Sequence, residues 1–210
     1  MADNRLAHVF WLGGSPCSGK STVATALAMR HGLRVYSADD HFERHCAAAD
    51  SRTQPSLAWL RTATSAQIFL RPLRPMARNA ILACREAFAT VLSDLTALPV
   101  GASVLAEGMA ILPECVATIR PPASGRAFLV PTRSFQRSHY AQREWAAALV
   151  ASLPTPDRAF ENWMRRDEVS ARWIRLEATR HGYPVREVDD GDSIEEVVTW
   201  VEQQMNLAAQ

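Results

Sequence analysis

Gly14-Ser15-Pro16-Cys17-Ser18-Gly19-Lys20-Ser21 is the stretch on which the reading of this chain turns. It fits the phosphate-binding pattern of a glycine, four free positions, then Gly-Lys-Ser/Thr. The run before it, His8-Val9-Phe10-Trp11-Leu12, is apolar and rich in strand-forming side chains. The residues after it, Thr22 to His31, carry Val23 and Leu27 at helical spacing until Gly32 stops them. Strand, glycine-bearing loop and helix in that order are the context the pattern needs. Gly14 and Gly19 permit backbone turns and close approaches that a Cβ would obstruct. The loop from Gly14 through Ser15, Pro16, Cys17, Ser18, Gly19, Lys20 and Ser21 to Thr22 is therefore expected to wrap a phosphate chain. Its amides and the helix N-terminus would face the negative charge.

Within that loop, Lys20 is expected to reach the outer phosphates and the Ser21 hydroxyl to ligate Mg²⁺. Lys20 is the sole lysine among 23 basic residues, the other 22 being arginine. A chain so biased keeps its single ammonium where a compact point charge on a flexible stem is wanted. ATP and Mg²⁺ are the expected cofactors.

Composition bounds the rest. At 210 residues the chain is long enough for one α/β domain spanning 1–210, with a full core and an inserted helical lobe. The net charge of +1 points to neither nucleic acid nor an anionic membrane as partner. No apolar run approaches membrane-spanning length. Met1-Ala2-Asp3-Asn4-Arg5 lacks the basic and apolar regions of a signal peptide, so a cytoplasmic enzyme is expected. The cysteines, at 17, 46, 84 and 115, are scattered, which indicates neither a zinc site nor a disulfide framework. Cys17 reads as a small loop filler.

Taken in order, strands are expected at 7–12, 33–37, 102–106, 127–130 and 184–188. Region 41–100 has no convincing strand. Leu57, Leu60, Thr64 and Ile68 trace one helix face there, and Ile81, Phe88, Leu92 and Leu95 another, with Pro72 and Pro75 between. Region 133–181 is largely helical. Ser193 and Glu196 form a capping box for a last helix with Ile194, Val197, Val198, Val201 and Met205 on one side. Strands alternating with helices imply a parallel sheet with right-handed crossovers. Ligands gather at the carboxyl ends of such strands. Three of those ends carry the phosphate loop, Asp39-Asp40 and Glu107.

The early Gly-Lys-Ser loop, a carboxylate ending strand two, a helical insert and a late arginine-bearing segment resemble the P-loop small-molecule and nucleoside-phosphate kinases. Tyr36-Ser37-Ala38-Asp39-Asp40-His41-Phe42 is similar to the segment of chloramphenicol phosphotransferase and zeta-toxin kinases in which an aspartate follows strand two. The resemblance implies a five-stranded parallel sheet with helices on both faces. It also implies an acceptor-binding insert at about 41–100 and a lid at about 133–181. In those families the aspartate faces the acceptor hydroxyl as base, and Asp-x-Phe matches better from Asp40 than from Asp39. The resemblance further places adenine near Asp189-Asp190-Gly191. No apolar run ends in the aspartate that usually holds Mg²⁺. Glu107 takes that kind of place, to hold a metal-bound water or the acceptor.

Arginines are sorted by local partners. Arg165 and Arg172 follow Glu161 and Glu168 by four, the spacing of ordinary helix ion pairs. Arg166 has no such partner, and Arg133, Arg137 and Arg143 lie in an acid-free stretch at 131–143. A lid closing over a transferring phosphate wants unpaired guanidinium groups, so Arg166 leads, with Arg143 and Arg137 next. His139, Trp163 and Trp173 read as packing. Between Ser51 and Arg85 there are six arginines and no acid. That density predicts an anionic small-molecule acceptor held by Arg71, Arg74 and Arg78. The competing reading is a regulatory or motor NTPase without an acceptor. A guanine-reading Asn/Thr-Lys-x-Asp motif is impossible with no second lysine, and the paired acids of the motors are absent from the sequence.

Overall fold

The computed structural model describes residues 4–99, 101–119 and 125–207. The first half runs β1 (Val9–Gly14), α1 (Lys20–His31), β2 (Arg34–Ser37), α2 (Phe42–Ala48), α3 (Pro55–Leu60), α4 (Ser65–Phe69) and α5 (Leu73–Ala97). The second half runs β3 (Val104–Gly108), α6 (Pro113–Val116), β4 (Arg126–Pro131), α7 (Arg133–Ala141), α8 (Glu144–Ala151), α9 (Pro156–Arg180), β5 (Val185–Val188) and α10 (Ile194–Met205). The five strands form one parallel sheet in the order β2-β3-β1-β4-β5.

Side-chain alternation decides which helices cover which face. Val9, Trp11, Val104, Ala106, Phe128 and Val130 point to one side, where Ala83, Ala87 and Phe88 of α5 and Ile174 of α9 bury them. Leu12, Leu105, Ala127 and Leu129 point to the other, against Val23 and Leu27 of α1 and Val197 and Val201 of α10. Each valine, leucine, isoleucine or phenylalanine among them, fully buried, contributes on the order of 1.5–3 kcal/mol. Gly32 ends α1 at φ 62°, its amide returning to the Ala28 carbonyl. The Ser193/Glu196 capping box opens α10, although Ile194 lies 48 % exposed rather than on the buried side. No helix among the described residues is long and apolar enough to cross a membrane.

Three expectations need correction. β1 and β3 each run two residues further than expected, pairing Leu12 with Glu107 and Gly13 with Gly108. That brings the Glu107 carboxylate alongside the start of the phosphate loop. The single helix expected over Leu57–Ile68 is two, because Thr64 caps α4 through a reciprocal bond set with Gln67. Pro72 directly precedes α5, and Pro75 sits in its first turn, where a missing N–H costs nothing. Third, Pro72 and Pro75 do not both lie between helices; region 133–181 is helical as expected, in three pieces (α7, α8 and α9), and packs against the phosphate loop. Cys17, Phe69, Tyr140, Ala146 and Trp163 share one apolar cluster, joining loop, insert and lid. Phe69 and Trp163 stack with centroids 4.7 Å apart, and Asn162 Nδ2 donates to the Phe69 carbonyl at 2.9 Å.

Candidate active site

The loop leaves β1 at Gly14, whose φ is 152°; a Cβ there would lie 2.1 Å from the Leu129 carbonyl oxygen. Ser15 N–H donates to that same oxygen at 3.2 Å, so loop and β4 are in direct contact. Gly14→Ala should therefore displace β4 as well as strain the backbone, costing ~2 kcal/mol or more. A drop in the urea midpoint checks this, and an unchanged midpoint would contradict it. Cys17 (φ 61°) and Gly19 (φ 80°) supply the left-handed turns that close the loop.

Lys20 is 5 % exposed and donates from Nζ to the Ser15 carbonyl at 2.9 Å. Ser18 Oγ donates to the same carbonyl at 2.9 Å. Ser15 Oγ is buried without a partner among the described groups. A loop that buries an ammonium and an orphan hydroxyl is chemically suited to a phosphate.

Ser21 Oγ donates to Glu107 Oε1 at 3.2 Å. Glu107 is 1 % exposed, and its Oε2 is buried without a partner. Burial raises the pKa of this carboxyl, the Lys20 ammonium works against the rise, and Asp39 adds to it. A hydroxyl beside a buried carboxylate with an oxygen to spare fits Mg²⁺, which keeps several waters and takes one or two protein oxygens. No group of three or more His, Cys, Asp or Glu that could hold a metal occurs among the described residues.

Asp39 and Asp40 follow the edge strand β2. Asp39 is half-buried, and its Oδ1 accepts from Met109 N–H at 2.8 Å. Gly108 makes room for it: a Cβ there would sit 3.0 Å from Asp39 Oδ1. Asp40 is exposed, and its own amide donates to Ser37 Oγ at 3.3 Å. Asp39 thus stands with Glu107 and Lys20, and Asp40 one step outside them.

A cavity of about 240 Å³ runs from Gly14, Ser15 and Pro16 to the insert and α9. Of the three insert arginines expected to hold an acceptor, Arg71 alone lines it, its guanidinium 5.0 Å from the Trp59 ring. Arg74 and Arg78 are exposed and do not line it. Two other arginines of the acid-free stretch 51–85 are engaged: Arg85 pairs with Glu114 at 2.9 Å, and Arg61 donates to the Ala47 carbonyl at 3.2 Å.

The lid arginines divide in the same way. Arg137 is not free: it binds Glu161 at 2.8 Å and Glu168 at 3.2 Å, and Arg133 takes Glu168 at 3.0 Å. The acid-free stretch misled because its partners come from α9, a distant part of the sequence. Arg165 pairs with Glu161 at 2.8 Å, as its spacing implies. Arg166 lines the cavity but, against expectation, is also paired: its sequence neighbour Asp167, which an i,i+4 rule overlooks, accepts at Oδ1 from Nε and Nη2 at 2.8 and 2.7 Å. Asp167 is 2 % exposed, and its Oδ2 accepts from the Tyr140 hydroxyl at 2.9 Å. Sequence reasoning missed Asp167 and Tyr140, since no spacing rule joins a buried acid to a phenol on another helix. Arg143 is exposed at the start of α8, over the rings of Tyr140 (5.4 Å) and Trp145 (5.9 Å). It lies close enough to Cys17 to draw that thiol downward, but burial dominates and pushes it up to about 11. Cys17 is thus an inert filler.

No protein-family model matches the sequence, and no curated protein matches it. Solved structures do. Shikimate kinase from Bacteroides thetaiotaomicron aligns over 94% of this chain and 98% of its own, at TM-score 0.55 and 14% identity. Deoxyadenosine kinase from M. mycoides, with products dCMP and dCDP bound, aligns over 95% and 100%, at TM-score 0.52 and 10% identity. Shikimate kinase from Acinetobacter baumannii in complex with shikimate aligns over 95% and 92%, at TM-score 0.51 and 16% identity. What these structures share with this chain is the fold, a five-stranded parallel sheet flanked by helices on both faces. Likeness at this level of identity concerns the fold in general and no one family within it.

Proposed function

We propose that this protein is an ATP-dependent phosphotransferase that moves the γ-phosphate to a hydroxyl of a small acceptor. The observation that carries this reading is the junction of two halves. A phosphate loop with a buried lysine and the Ser21–Glu107 pair opens directly onto a cavity roofed by insert and lid. A switch that only hydrolyses nucleotide has no use for such a chamber beside its loop.

In this reading the loop amides and Lys20 cradle the outer phosphates. Ser21 and Glu107 would hold Mg²⁺, which when bound would neutralise charge on the phosphates. Asp39, rather than Asp40, accepts the hydroxyl proton. The acceptor oxygen bonds to the γ-phosphorus as the bond to the bridging oxygen breaks, and ADP leaves with that electron pair. Arg166, and Arg143 from above the loop, meet the transferring phosphoryl group. An acceptor charge would fall to Arg71, with Arg74 and Arg78 acting from outside.

Turnover of ATP with Mg²⁺, measured with and without hydroxyl acceptors, tests the reading. Phosphate must appear on an acceptor, and hydrolysis unaffected by every acceptor would favour the switch. Arg166→Ala should lower kcat ~10²-fold or more while ATP affinity changes only a few-fold, because its contact matters mainly in the transition state. Arg165→Ala, which removes a half-exposed partner of Glu161, should leave both near wild type. Equal losses in the two variants would count against Arg166 as a phosphate contact.

A further inference from the structure

We infer that the acceptor is an apolar, ring-bearing alcohol rather than an anionic polyol. The transfer step rests on the phosphotransferase reading, and the binding step on the cavity alone. Apolar residues make up most of the wall, Trp59, Phe69, Met76, Ile81, Met109 and Ile174 among them. A sugar acid or a phosphorylated polyol would leave its hydroxyls facing these side chains without partners, which costs free energy for each one.

Away from the phosphate loop, where Ser15 Oγ stays without a partner, the acid and the hydroxyl of the wall are already engaged. Arg166 and Asp167 pair, Asp167 also holds Tyr140, and Ser170 Oγ donates to the Arg166 carbonyl at 3.1 Å. Arg71 lies over the Trp59 ring. Half-buried Asn79 lines the cavity with no side-chain partner among the described residues, which leaves it to meet a single polar substituent. One free amide and one ring-stacked guanidinium on an otherwise apolar wall select a mostly apolar guest with one polar pole.

Size agrees with this. The volume is about 240 Å³. An apolar cavity of about 150 Å³ accepts benzene, so a substituted single ring has room. The phosphate loop forms one end, at Gly14, Ser15 and Pro16. A hydroxyl on a short arm from the ring would point there, toward Asp39 beside Met109.

The test uses the full chain with Mg²⁺ and a non-hydrolysable ATP analogue. Benzyl alcohol and 2-phenylethanol are titrated calorimetrically against glycerol and glycerol 3-phosphate. The aryl alcohols should bind at least ~10-fold tighter, with affinity unchanged between about 0.05 and 0.5 M salt. Ala80→Asp, on the half-buried wall, should weaken them ~10-fold or more without affecting ATP binding. Trp59→Leu, a smaller change that keeps the wall apolar, should erase the preference for aryl over straight-chain alcohols of equal carbon count. Tighter, salt-sensitive binding of glycerol 3-phosphate, lost in Arg74→Ala, would overturn the inference. So would failure of the aryl alcohols to bind, or a ranking that Trp59→Leu leaves intact. Labelled ATP then separates the two claims. Binding of aryl alcohols without transfer supports the cavity assignment and removes the phosphotransferase reading, whereas transfer to an anionic polyol alone does the reverse.

Discussion

Lys20→Ala is expected to reduce phosphate transfer ~10²–10³-fold or more at saturating ATP, the scale for losing one preorganised charge in a water-excluded site. The protein should stay folded, and the reasons are local. Lys20 opens α1, where alanine has the best helix propensity. The Ser15 carbonyl that Lys20 holds keeps a second donor in Ser18 Oγ, at 2.9 Å. The lysine therefore orients the loop jointly with a neighbour but supplies the loop's only ammonium. Arginine is no substitute: its planar fork is bulkier than the buried slot, and Lys20→Arg should be nearly as impaired. Circular dichroism and melting confirm the fold, and kcat reads the effect. Wild-type turnover in Lys20→Ala would remove the phosphate-loop assignment altogether.

What could be read in the sequence follows the range over which each feature acts. The loop, its flanking strand and helix, and the capping box at Ser193 depend on residues within a few positions, and all appear, with bounds of strand and helix moved by two residues. The parallel sheet was legible because strand and helix periods alternate along the chain. The strand order and the Leu12–Glu107 register were not, since nothing local encodes which strands become neighbours. Arginine partners show the same limit. The i,i+4 rule found Arg165–Glu161, yet Glu168 of α9 serves Arg133 and Arg137 of α7 instead of Arg172. Absence of acids nearby in sequence thus said nothing about absence in space. The cavity wall was hidden for a related reason. Trp59, Met76 and Ile81 read as ordinary helix-face residues, and only the fold shows that the space between them faces the loop.

Asp39→Asn is expected to lower transfer by ~10²–10⁴-fold, the usual contribution of a positioned general base, with ATP affinity within a few-fold of wild type. The substitution is isosteric, and an amide oxygen can still accept from Met109 N–H, now 2.8 Å from Oδ1. What changes is the atom facing the acceptor: an NH₂ donor replaces a carboxylate oxygen that could take a proton. Asp40→Asn should stay within a few-fold of wild type. Its exposed side chain stands outside the set formed by Asp39, Glu107 and Lys20. A second readout separates a base from a mere structural brace. Because the Asp39 charge disfavours ionisation of buried Glu107, neutralising Asp39 should ease the upward shift at Glu107 and move the acidic limb of the kcat profile to lower pH. The sign follows from the charge: a lost negative neighbour makes the Glu107 carboxylate easier to form, so the metal site stays competent at lower pH. A loss confined to Asp40→Asn would return the base to the residue favoured by the Asp-x-Phe spacing and place the acceptor hydroxyl at the outer rim of β2.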